Sequence, residues 1–373
     1  MKILYAASTA RHILDFHMDV LSGLKSAGFE VCVVCRDAYA LAEAFCAAEI
    51  PFAKSFVSTR NIRAFFALRR LIKNERFDIV STHTALAGFV VRMAVMLSTA
   101  KDKRPFCVHT AHGYLFGRSA ALSGKLTYPF ERICAPVTDM ILTMNAEDYA
   151  CAKKLIKPAG RVAEIPGMGV DMVRYRPPER GEKDKLRRDL CLPADFLIFC
   201  AAEFSVRKNH KTLIKAIAGI LRTIPDVTLL LAGDGALAEK TLRLANKLEV
   251  AGSVRFLGYV PDTSPYLKAS DMAVSASLSE GLPLGIIEAL ACGLPVAASR
   301  VKGHIELLPE EFLFDPRNPH EAALRFEEAV QKQINPDSKG NNLRREVCSK
   351  TKAAGIIIKL YNNIEEERRA ERE

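Results

Sequence analysis

The chain has 373 residues, of which 49% are hydrophobic and 26% are charged. This composition excludes wholesale disorder, a collagen-like fibre and a small disulfide-rich scaffold, and the length favours two domains of about 100–200 residues each. The formal net charge is +10, and residues 1–170 carry eight of these excess charges. Such a balance favours an acidic partner, for example a nucleotide diphosphate, an anionic lipid or a nucleic acid.

Short apolar runs alternate with helical patterns in the first half of the chain. A helix is predicted over Ile13–Ala27, and Gly28 is expected to end it. The predicted strands are Lys2–Ala7, Glu30–Cys35, Asp78–Thr82, Phe106–Ala111 and Met140–Met144.

A second series of strands and helices follows in the other half. Its predicted strands are Leu197–Ala202, Val227–Ala232, Val254–Phe256, Met272–Ser275 and Pro295–Ala298. Runs that are apolar on both faces and separated by helices are typical of parallel sheets covered on both sides. The fold class is therefore predicted as α/β with two doubly wound, Rossmann-like domains. The linker between the two domains is predicted in the region that holds the Gly- and Pro-bearing segment Ile165–Asp171 and the charged segment Arg174–Lys185.

Two further patterns bear on the cellular compartment. The longest apolar candidate, Phe89–Ala100, is interrupted by Arg92 and is shorter than the roughly 20 residues that a membrane-spanning helix needs. The ten Cys residues lack the paired spacing of zinc sites, and Cys32 and Cys35 lie in an apolar run that suits the core. A cytoplasmic location is therefore predicted.

The segment Ser279–Val296 is the most informative in the sequence. Glu280 begins a loop, Pro283 fits the first turn of a helix, and Leu284–Cys292 continues that helix. The free N–H groups at such a helix start favour phosphate. In a continuous helix Glu280 and Glu288 would lie about 12 Å apart, so one carboxylate can bind a sugar and the other a ribose. An ordinary strand-to-helix connection with two surface glutamates is the alternative.

This segment resembles the Glu-x7-Glu signature of retaining glycosyltransferases of family 4, which have the GT-B fold. Other segments resemble motifs of the same family, and the resemblance runs from about Lys2 to Val301. These segments are Gly167–Asp171, Leu231–Gly235, Phe256–Val260 and Ala269–Asp271.

The resemblance implies two domains that face each other across a cleft. Residues 1–170 would bind the acceptor and residues 171–350 the nucleotide sugar, while a helix over about 351–373 would pack back on the first domain. Glu288 would bind the nucleotide ribose and Glu280 the hydroxyls of the donor sugar.

Other donor-binding residues follow from the same resemblance. The N–H groups near Leu284 and Gly285 would bind the diphosphate, as the helix dipole favours. Gly233 and Gly235 would form the Gly-x-Gly turn of the donor site.

A basic segment follows the predicted strand Leu197–Ala202. Lys208 matches a lysine of the family, and Arg207 is expected to supply a second positive charge for the diphosphate. Glu203 stands where the family usually has an arginine, and we assign it no role in phosphate binding. A solvated Arg-Lys helix start is the alternative for both cations.

Histidines follow several strands of the first half. His112 resembles the histidine of the family that faces the donor sugar, and it is predicted to be catalytic together with Glu280 and Lys208. His12 and His17 resemble a bacterial exopolysaccharide and capsule subgroup carrying His-Ile-x-x-Phe-His, and with His83 they are candidates for acceptor binding. Structural roles remain open for His83 and for His109, which follow strands of the same predicted sheet.

The segment Arg60–Arg76 mixes aromatic and aliphatic residues with six basic ones. A basic amphipathic helix of this kind can lie on an anionic membrane surface. A helix that packs on the sheet and exposes its basic face to solvent is the alternative.

The function that follows is transfer of a sugar from a nucleotide donor, most simply UDP-linked, with retention of anomeric configuration. The acceptor is predicted to be a lipid-linked saccharide at the inner face of the cell membrane, in exopolysaccharide, capsule or related glycan synthesis. Because the sequence has no Asp-x-Asp triplet, neither a metal nor another cofactor is expected. Nucleic acid is not expected as a partner, because the charge lacks interleaved aromatic platforms. A GT-B nucleotide-sugar 2-epimerase and a non-catalytic nucleotide-sugar-binding protein are the alternatives.

Overall fold

The computed structural model describes residues 1–53, 55, 58–98, 104–114, 116, 127–332 and 348–370. The chain divides into two compact units. The N-terminal unit comprises Met1–Gly169 and Lys350–Glu373, and the C-terminal unit comprises Val170–Ser349.

The N-terminal unit contains a seven-stranded parallel sheet in the order β3-β2-β1-β4-β5-β6-β7. Its strands are β1 (Lys2–Thr9), β2 (Glu30–Arg36), β3 (Cys46–Glu49), β4 (Ile79–His83), β5 (Phe106–Thr110), β6 (Met140–Thr143) and β7 (Arg161–Glu164). Its helices are α1 (Ala10–Phe16), α2 (Met18–Ser26), α3 (Thr59–Asn74), α4 (Ala85–Met96), α5 (Tyr128–Cys134) and α6 (Ala146–Cys151). The central strands are buried on both faces, as a doubly wound sheet requires.

The C-terminal unit contains a six-stranded parallel sheet in the order β10-β9-β8-β11-β12-β13. Its strands are β8 (Phe196–Ala201), β9 (Val227–Ala232), β10 (Val254–Gly258), β11 (Met272–Ser275), β12 (Val296–Ser299) and β13 (Leu313–Phe314). Its helices are α7 (Glu182–Asp189), α8 (His210–Ile220), α9 (Ala238–Lys247), α10 (Ser264–Ala269), α11 (Leu284–Ala291) and α12 (Pro319–Lys332). Both faces of this sheet bury apolar clusters.

The two series of predicted strands and the α/β class are confirmed. Three strands escaped prediction, namely β3, β7 and β13. The first two are four-residue strands exposed at both ends, and β13 has two residues, so none of the three presents a long apolar run.

The single helix predicted over Ile13–Ala27 is wrong, because α1 and α2 are separate helices that break at His17. The backbone of His17 has φ −118° and ψ −5°, and its buried side chain bonds the hydroxyl of Tyr5. Gly28 does end the second helix. Its φ of +91° suits glycine, and the following Phe29 N–H donates back to the Leu24 carbonyl.

The helix α13 (Lys350–Ala370) belongs to the N-terminal unit and packs on α2. A Cβ added at Gly23 would lie 2.2 Å from Ile358 Cδ1, so glycine permits this close approach. Tyr361 is buried, and its hydroxyl bonds Ser81 Oγ on β4 at 2.5 Å. The end of the chain therefore completes the core of the first unit.

Helix α4 carries a fully buried arginine. Arg92 Nη2 donates to both carboxylate oxygens of Glu131, at 3.0 and 2.8 Å, and Nε donates to the Gly88 carbonyl. His109 Nε2 lies 3.6 Å from the same carboxylate.

Among the helices that the structure describes, none combines the length and apolar character needed to cross a bilayer.

We expect Glu131→Leu to destabilise the N-terminal unit by about 3–5 kcal/mol, because it leaves the buried Arg92 without its counter-charge. The double variant Arg92→Met/Glu131→Leu should recover most of this loss, since it removes both charges. Urea unfolding followed by circular dichroism measures both effects.

The exposed ion pair between Arg243 and Glu239 provides the matched control. Glu239→Leu should change the unfolding free energy by less than about 1 kcal/mol. Equal losses at the buried and the exposed pair would contradict the interpretation of Glu131 as an obligatory buried partner.

Candidate functional site

In a doubly wound sheet, ligands bind beyond the carboxyl ends of the strands, at the point where the strand order reverses. In the C-terminal unit this point lies between β8 and β11, which pair directly. The loop after β8 carries Arg207 and Lys208, and the loop after β11 carries Glu280. The topology therefore brings Glu280 next to two adjacent cations that lie more than seventy positions before it in the sequence.

Glu280 is almost fully buried and is held by two cations. Lys208 Nζ donates to its Oε1 at 2.6 Å, and Arg207 Nη1 donates to its Oε2 at 3.0 Å. Burial alone would raise the pKa of this carboxyl, but Lys208, Arg207 and a hydrogen bond from Ser277 outweigh burial and lower the pKa. Glu280 is thus an ionised group that screens two positive charges.

Asn209 fixes the basic loop against its neighbours. Its backbone is left-handed, with φ 53°, and its side-chain amide donates to the carbonyls of Ala276 and Pro316, at 3.0 and 2.9 Å. In addition, the Leu278 N–H donates to the Arg207 carbonyl. These bonds determine where the two cations stand relative to Glu280.

A buried histidine that the sequence analysis missed supports the Glu280 loop. His304 Nδ1 lies 2.7 Å from the Ser299 carbonyl, and Ser299 Oγ donates to the Ser277 carbonyl at 2.5 Å. Burial lowers the pKa of His304 to about 4, so the ring is neutral at pH 7. Next to it, a Cβ on Gly303 would lie 2.7 Å from the Gly281 carbonyl oxygen, and φ is +81°. In the sequence, Gly303 directly before His304 was the feature that could have indicated this close contact.

The turn after β9 is determined by backbone packing. Gly233 has φ +141°, and an added Cβ would lie 2.2 Å from the Ala202 carbonyl oxygen. Gly235 has φ +150°, and its Cβ would lie 2.6 Å from the Phe204 carbonyl oxygen. Because neither residue has a Cβ, this turn packs closely against the start of the basic loop. Their predicted contact with a donor stays a prediction.

Helix α11 begins at the mouth of the same sheet. Pro283 precedes the helix as its N-cap, with ψ 94°, and is not in its first turn as predicted. Leu284 and Gly285 are the first two helical residues, whose N–H groups have no acceptor within a helix. Gly285 is exposed, and the nearest atom to a Cβ there would be the Ala201 carbonyl oxygen at 3.9 Å.

Glu288 lies one turn further along α11 and is half-buried. Its charge acts on Tyr175, whose pKa is raised to about 12 by burial first and by Glu288 second. The Tyr175 hydroxyl bonds Thr263 Oγ1 at 3.1 Å. Glu280 and Glu288 thus have different surroundings, one paired with cations and the other beside a buried tyrosine.

In the N-terminal unit the strand order reverses between β1 and β4. Four histidines meet near the carboxyl ends of β1, β4 and β5. The ring centroids of His12 and His17 lie 4.9 Å apart, and the His112 ring lies 5.2 Å from His12 and 5.5 Å from His17. His83 lies 4.5 Å from His17. We call these four residues the histidine cluster.

Tyr5 on β1 contacts two rings of the histidine cluster, those of His17 and His83. Tyr5 Oη bonds His17 Nδ1 at 2.7 Å, and the Tyr5 ring stacks on His83 at 4.3 Å between centroids. Burial lowers the pKa of all four rings, and mutual repulsion among the histidines lowers that of His17, His83 and His112 further, in the last case to about 3. The cluster is therefore neutral at pH 7.

His109 belongs to a different network. Its Nδ1 lies 2.9 Å from Thr82 Oγ1, and its Nε2 faces Glu131, the partner of Arg92. Burial first, and then Arg92, lower the pKa of His109 to about 4. These contacts give His109 a structural role in the buried ion network.

Residues 17–171 match the model for Glycosyltransferase Family 4, and residues 182–346 match the model for Glycosyl transferases group 1. The EpsD protein of Bacillus subtilis (strain 168) is 32% identical over 309 residues, which cover 82% of this chain and 81% of that protein. An Escherichia coli protein, UDP-Gal:alpha-D-GlcNAc-diphosphoundecaprenol alpha-1,3-galactosyltransferase, is 31% identical over 68% of this chain and 65% of that protein.

Solved structures show the same architecture. HepE of Anabaena, crystallised with UDP and glucose, superposes with a TM-score of 0.79 at 18% identity, over 97% of this chain and all of that one. WaaG, a glycosyltransferase involved in lipopolysaccharide biosynthesis, gives a TM-score of 0.74 at 15% identity, over 96% of this chain and 99% of that one.

The doubly wound parallel sheet in each unit and the likeness to these solved structures identify the fold as GT-B. The chain belongs to glycosyltransferase family 4.

The ion pairs of Glu280 lead to a test by titration. In Lys208→Met, burial should become the dominant influence, so we expect the pKa of Glu280 to rise from below to above its ordinary value of 4.5. Carbon-13 NMR of glutamate-labelled protein, assigned with Glu280→Gln, measures this pKa.

The sign of the accompanying stability change follows from linkage. In the wild type the folded-state pKa of Glu280 is lowered, so its contribution to stability is present above about pH 4.5 and is lost as the pH falls through the folded-state value. A Glu280 titration that is the same in the wild type and in Lys208→Met would contradict the coupling of these residues.

Proposed function

We propose that this glycosyltransferase moves a hexose from a UDP-sugar to a lipid-linked saccharide, with retention of anomeric configuration, in bacterial exopolysaccharide, capsule or related glycan synthesis. The observation that carries the proposal is the cluster of Lys208, Arg207 and Glu280 beside the start of α11. It combines fixed positive charge, helix N–H groups and a buried carboxylate at one mouth of a doubly wound sheet.

The donor would be held by complementary charges in the C-terminal unit. The N–H groups of Leu284 and Gly285, with the helix dipole, favour a diphosphate, and Glu288 would bind the ribose hydroxyls. The support for uridine comes from the E. coli relative, whose name specifies UDP-Gal, and from HepE, which was crystallised with UDP-glucose.

Glu280 and its two cations suggest an exchange of partners on donor binding. Without a donor, the Glu280 carboxylate pairs with Lys208 and Arg207 and offsets one of their two positive charges. A diphosphate carries more negative charge than one carboxylate and would compete for both cations. The oxygens of Glu280 would then be available to accept hydrogen bonds from the sugar hydroxyls, so the same carboxylate serves both states.

Transfer would not require a metal ion at the diphosphate. As the bond to the sugar breaks, negative charge grows on the leaving UDP, and Lys208 with the N–H groups of α11 would stabilise it in place of a cation. The sugar would pass through an oxocarbenium-like state, as in glycoside hydrolysis. The acceptor would attack from the same face, with its proton passing to the departing phosphate, and His112 would face the sugar.

The N-terminal unit would bind the acceptor. His12, His17 and His83 lie with His112 at the reversal of strand order in this unit, which is where such a sheet binds a ligand. A polyprenyl-diphosphate-linked saccharide is supported by the diphosphoundecaprenol in the name of the E. coli relative.

Helix α3 would bring the enzyme to the cytoplasmic face of the membrane. Ile62 and Phe66 are each 58% exposed on its outer face, where Arg63, Arg70 and Lys73 are also exposed. Apolar side chains flanked by basic ones suit an anionic interface. The opposite side of α3 packs into the core, so the outer face is available without unfolding.

A thermal-shift panel of UDP, GDP, ADP and their hexose conjugates tests the donor class. We expect selective stabilisation by uridine nucleotides, worth about 2.7 kcal/mol at 100 times the dissociation constant. Glu288→Ala should reduce this shift by removing the ribose ligand. Gly285→Ala should abolish it, because its methyl group, which would meet only the Ala201 carbonyl oxygen at 3.9 Å, would stand where the diphosphate is expected, while improving helix propensity.

Gly252→Ala is the matched control, since a Cβ there also meets open space but lies outside the proposed site. A GDP-selective shift, or a UDP shift that survives both site variants, would refute the donor assignment. The same protein with UDP-hexose and a polyprenyl-diphosphate-linked saccharide should give a glycolipid with the anomeric configuration of the donor. An epimerised sugar formed without acceptor would identify an epimerase, and binding without turnover a non-catalytic protein.

A vesicle-sedimentation assay tests the membrane proposal. We expect the triple charge reversal Arg63→Glu/Arg70→Glu/Lys73→Glu to abolish binding to phosphatidylglycerol vesicles, since each basic residue near such a surface contributes about 1 kcal/mol. The control is the equivalent triple reversal of the exposed residues Lys240, Arg243 and Lys247 on α9, which should leave binding unchanged. Equal losses in the two variants would indicate a general charge effect and reject α3 as the binding face.

A further inference from the structure

The histidine cluster has unused binding capacity. Four ring nitrogens, Nε2 of His12, His17 and His112 and Nδ1 of His83, are buried and have no hydrogen-bond partner among the residues that the structure describes. A buried polar atom without a hydrogen-bond partner is unfavourable, because it has lost its bonds to water. Four such atoms within one cluster indicate that a ligand completes it.

The arrangement of three of these rings suits a metal ion. One ring nitrogen from each of His12, His17 and His112 lies within 4.8 Å of the other two. Zinc bonds imidazole nitrogen at about 2.0–2.1 Å, so two ligands of a tetrahedral site stand about 3.3 Å apart. The remaining gap requires movements of about 1 Å, and His12 and His112 are only half-buried, which permits them.

The partners of the inner ring orient it as a ligand. When His17 Nδ1 carries the proton and donates it to Tyr5 Oη, the lone pair of Nε2 points away from the tyrosine. A hydrogen bond from the second ring nitrogen is the usual support of a metal-binding histidine. His83 packs against both rings, stacked on Tyr5 and edge-on to His17, and so restrains their rotation.

The chemistry of the cluster favours a cation over an anion. A phosphate would require positive charge or several N–H donors, whereas buried imidazole nitrogens without a hydrogen-bond partner can offer lone pairs to a cation. Neutral imidazole binds zinc, copper, nickel and cobalt, while magnesium and calcium prefer oxygen ligands.

We propose that His12, His17 and His112 bind one divalent transition-metal ion of the zinc class, with Tyr5 positioning His17. The fourth coordination position would be open to water or to an oxygen of a ligand, as three protein ligands allow. The site belongs to the N-terminal unit, and it is distinct from the Lys208–Glu280 cluster that would bind the donor. Its three ligands are histidines that the proposed function places near the acceptor and the sugar, and the inference rests on that function only for which oxygen fills the open position. Ion binding itself is measured without turnover.

Equilibrium dialysis of the chelator-stripped full chain against Zn²⁺ and Co²⁺ tests the proposal. We expect one tightly bound ion per chain and, with Co²⁺, the strong visible absorption of four-coordinate geometry. His12→Asn and His112→Asn should each lower the affinity at least about tenfold and abolish the absorption. Tyr5→Phe, which keeps the ring stack but removes the hydroxyl, should lower the affinity about 10–100-fold.

His320→Asn is the matched control, because His320 is exposed in the C-terminal unit, and it should bind the ion as the wild type does. His17→Asn is informative only with circular dichroism, since this residue is fully buried, and the half-buried pair decides the question. The proposal is overturned if no ion binds at millimolar concentration, or if binding is unchanged in His12→Asn and His112→Asn. Weak absorption typical of six-coordinate cobalt would overturn it as well. So would binding that is lost in alanine variants of the exposed Cys46 and Cys191.

Discussion

Parallel strand pairing at the two reversals of strand order is the constraint on which the rest of this structure depends. In each sheet the first strand of the unit pairs with strands on both sides, β1 with β2 and β4, and β8 with β9 and β11. Loops that leave two such neighbours must start side by side at the same edge. Residues distant in sequence therefore meet there.

The two edges use opposite electrostatics. In the C-terminal unit a buried carboxylate stays ionised because two cations compensate its desolvation. In the N-terminal unit burial keeps the imidazole rings of the histidine cluster uncharged, so each ring retains one lone pair and one N–H group. One edge suits a diphosphate, and the other suits a ligand that neutral rings can bind.

Much of the fold could be predicted from the sequence, because strands such as Val227–Ala232 are apolar on both faces and stand between recognisable helices. The Glu280–Glu288 spacing and Lys208 were also readable, since each belongs to a motif that is continuous in the chain. The short edge strands β3 and β7 were not, because their stability comes from a neighbour's backbone and not from their own side chains. The helix break at His17 likewise depends on Tyr5, a residue of another element.

The sequence by itself determined the α/β class, the two series of strands, the family and the residue types at the candidate site of the C-terminal unit, because periodicity and motifs are local properties. Tertiary structure alone decided that Arg207 and Lys208 both hold Glu280, that His304 supports its loop, and that four histidines from separate segments form one neutral cluster. These features depend on distances and burial between segments far apart in the chain. Neither the distances nor the burial can be read from local sequence patterns, because both arise only when the sheet forms.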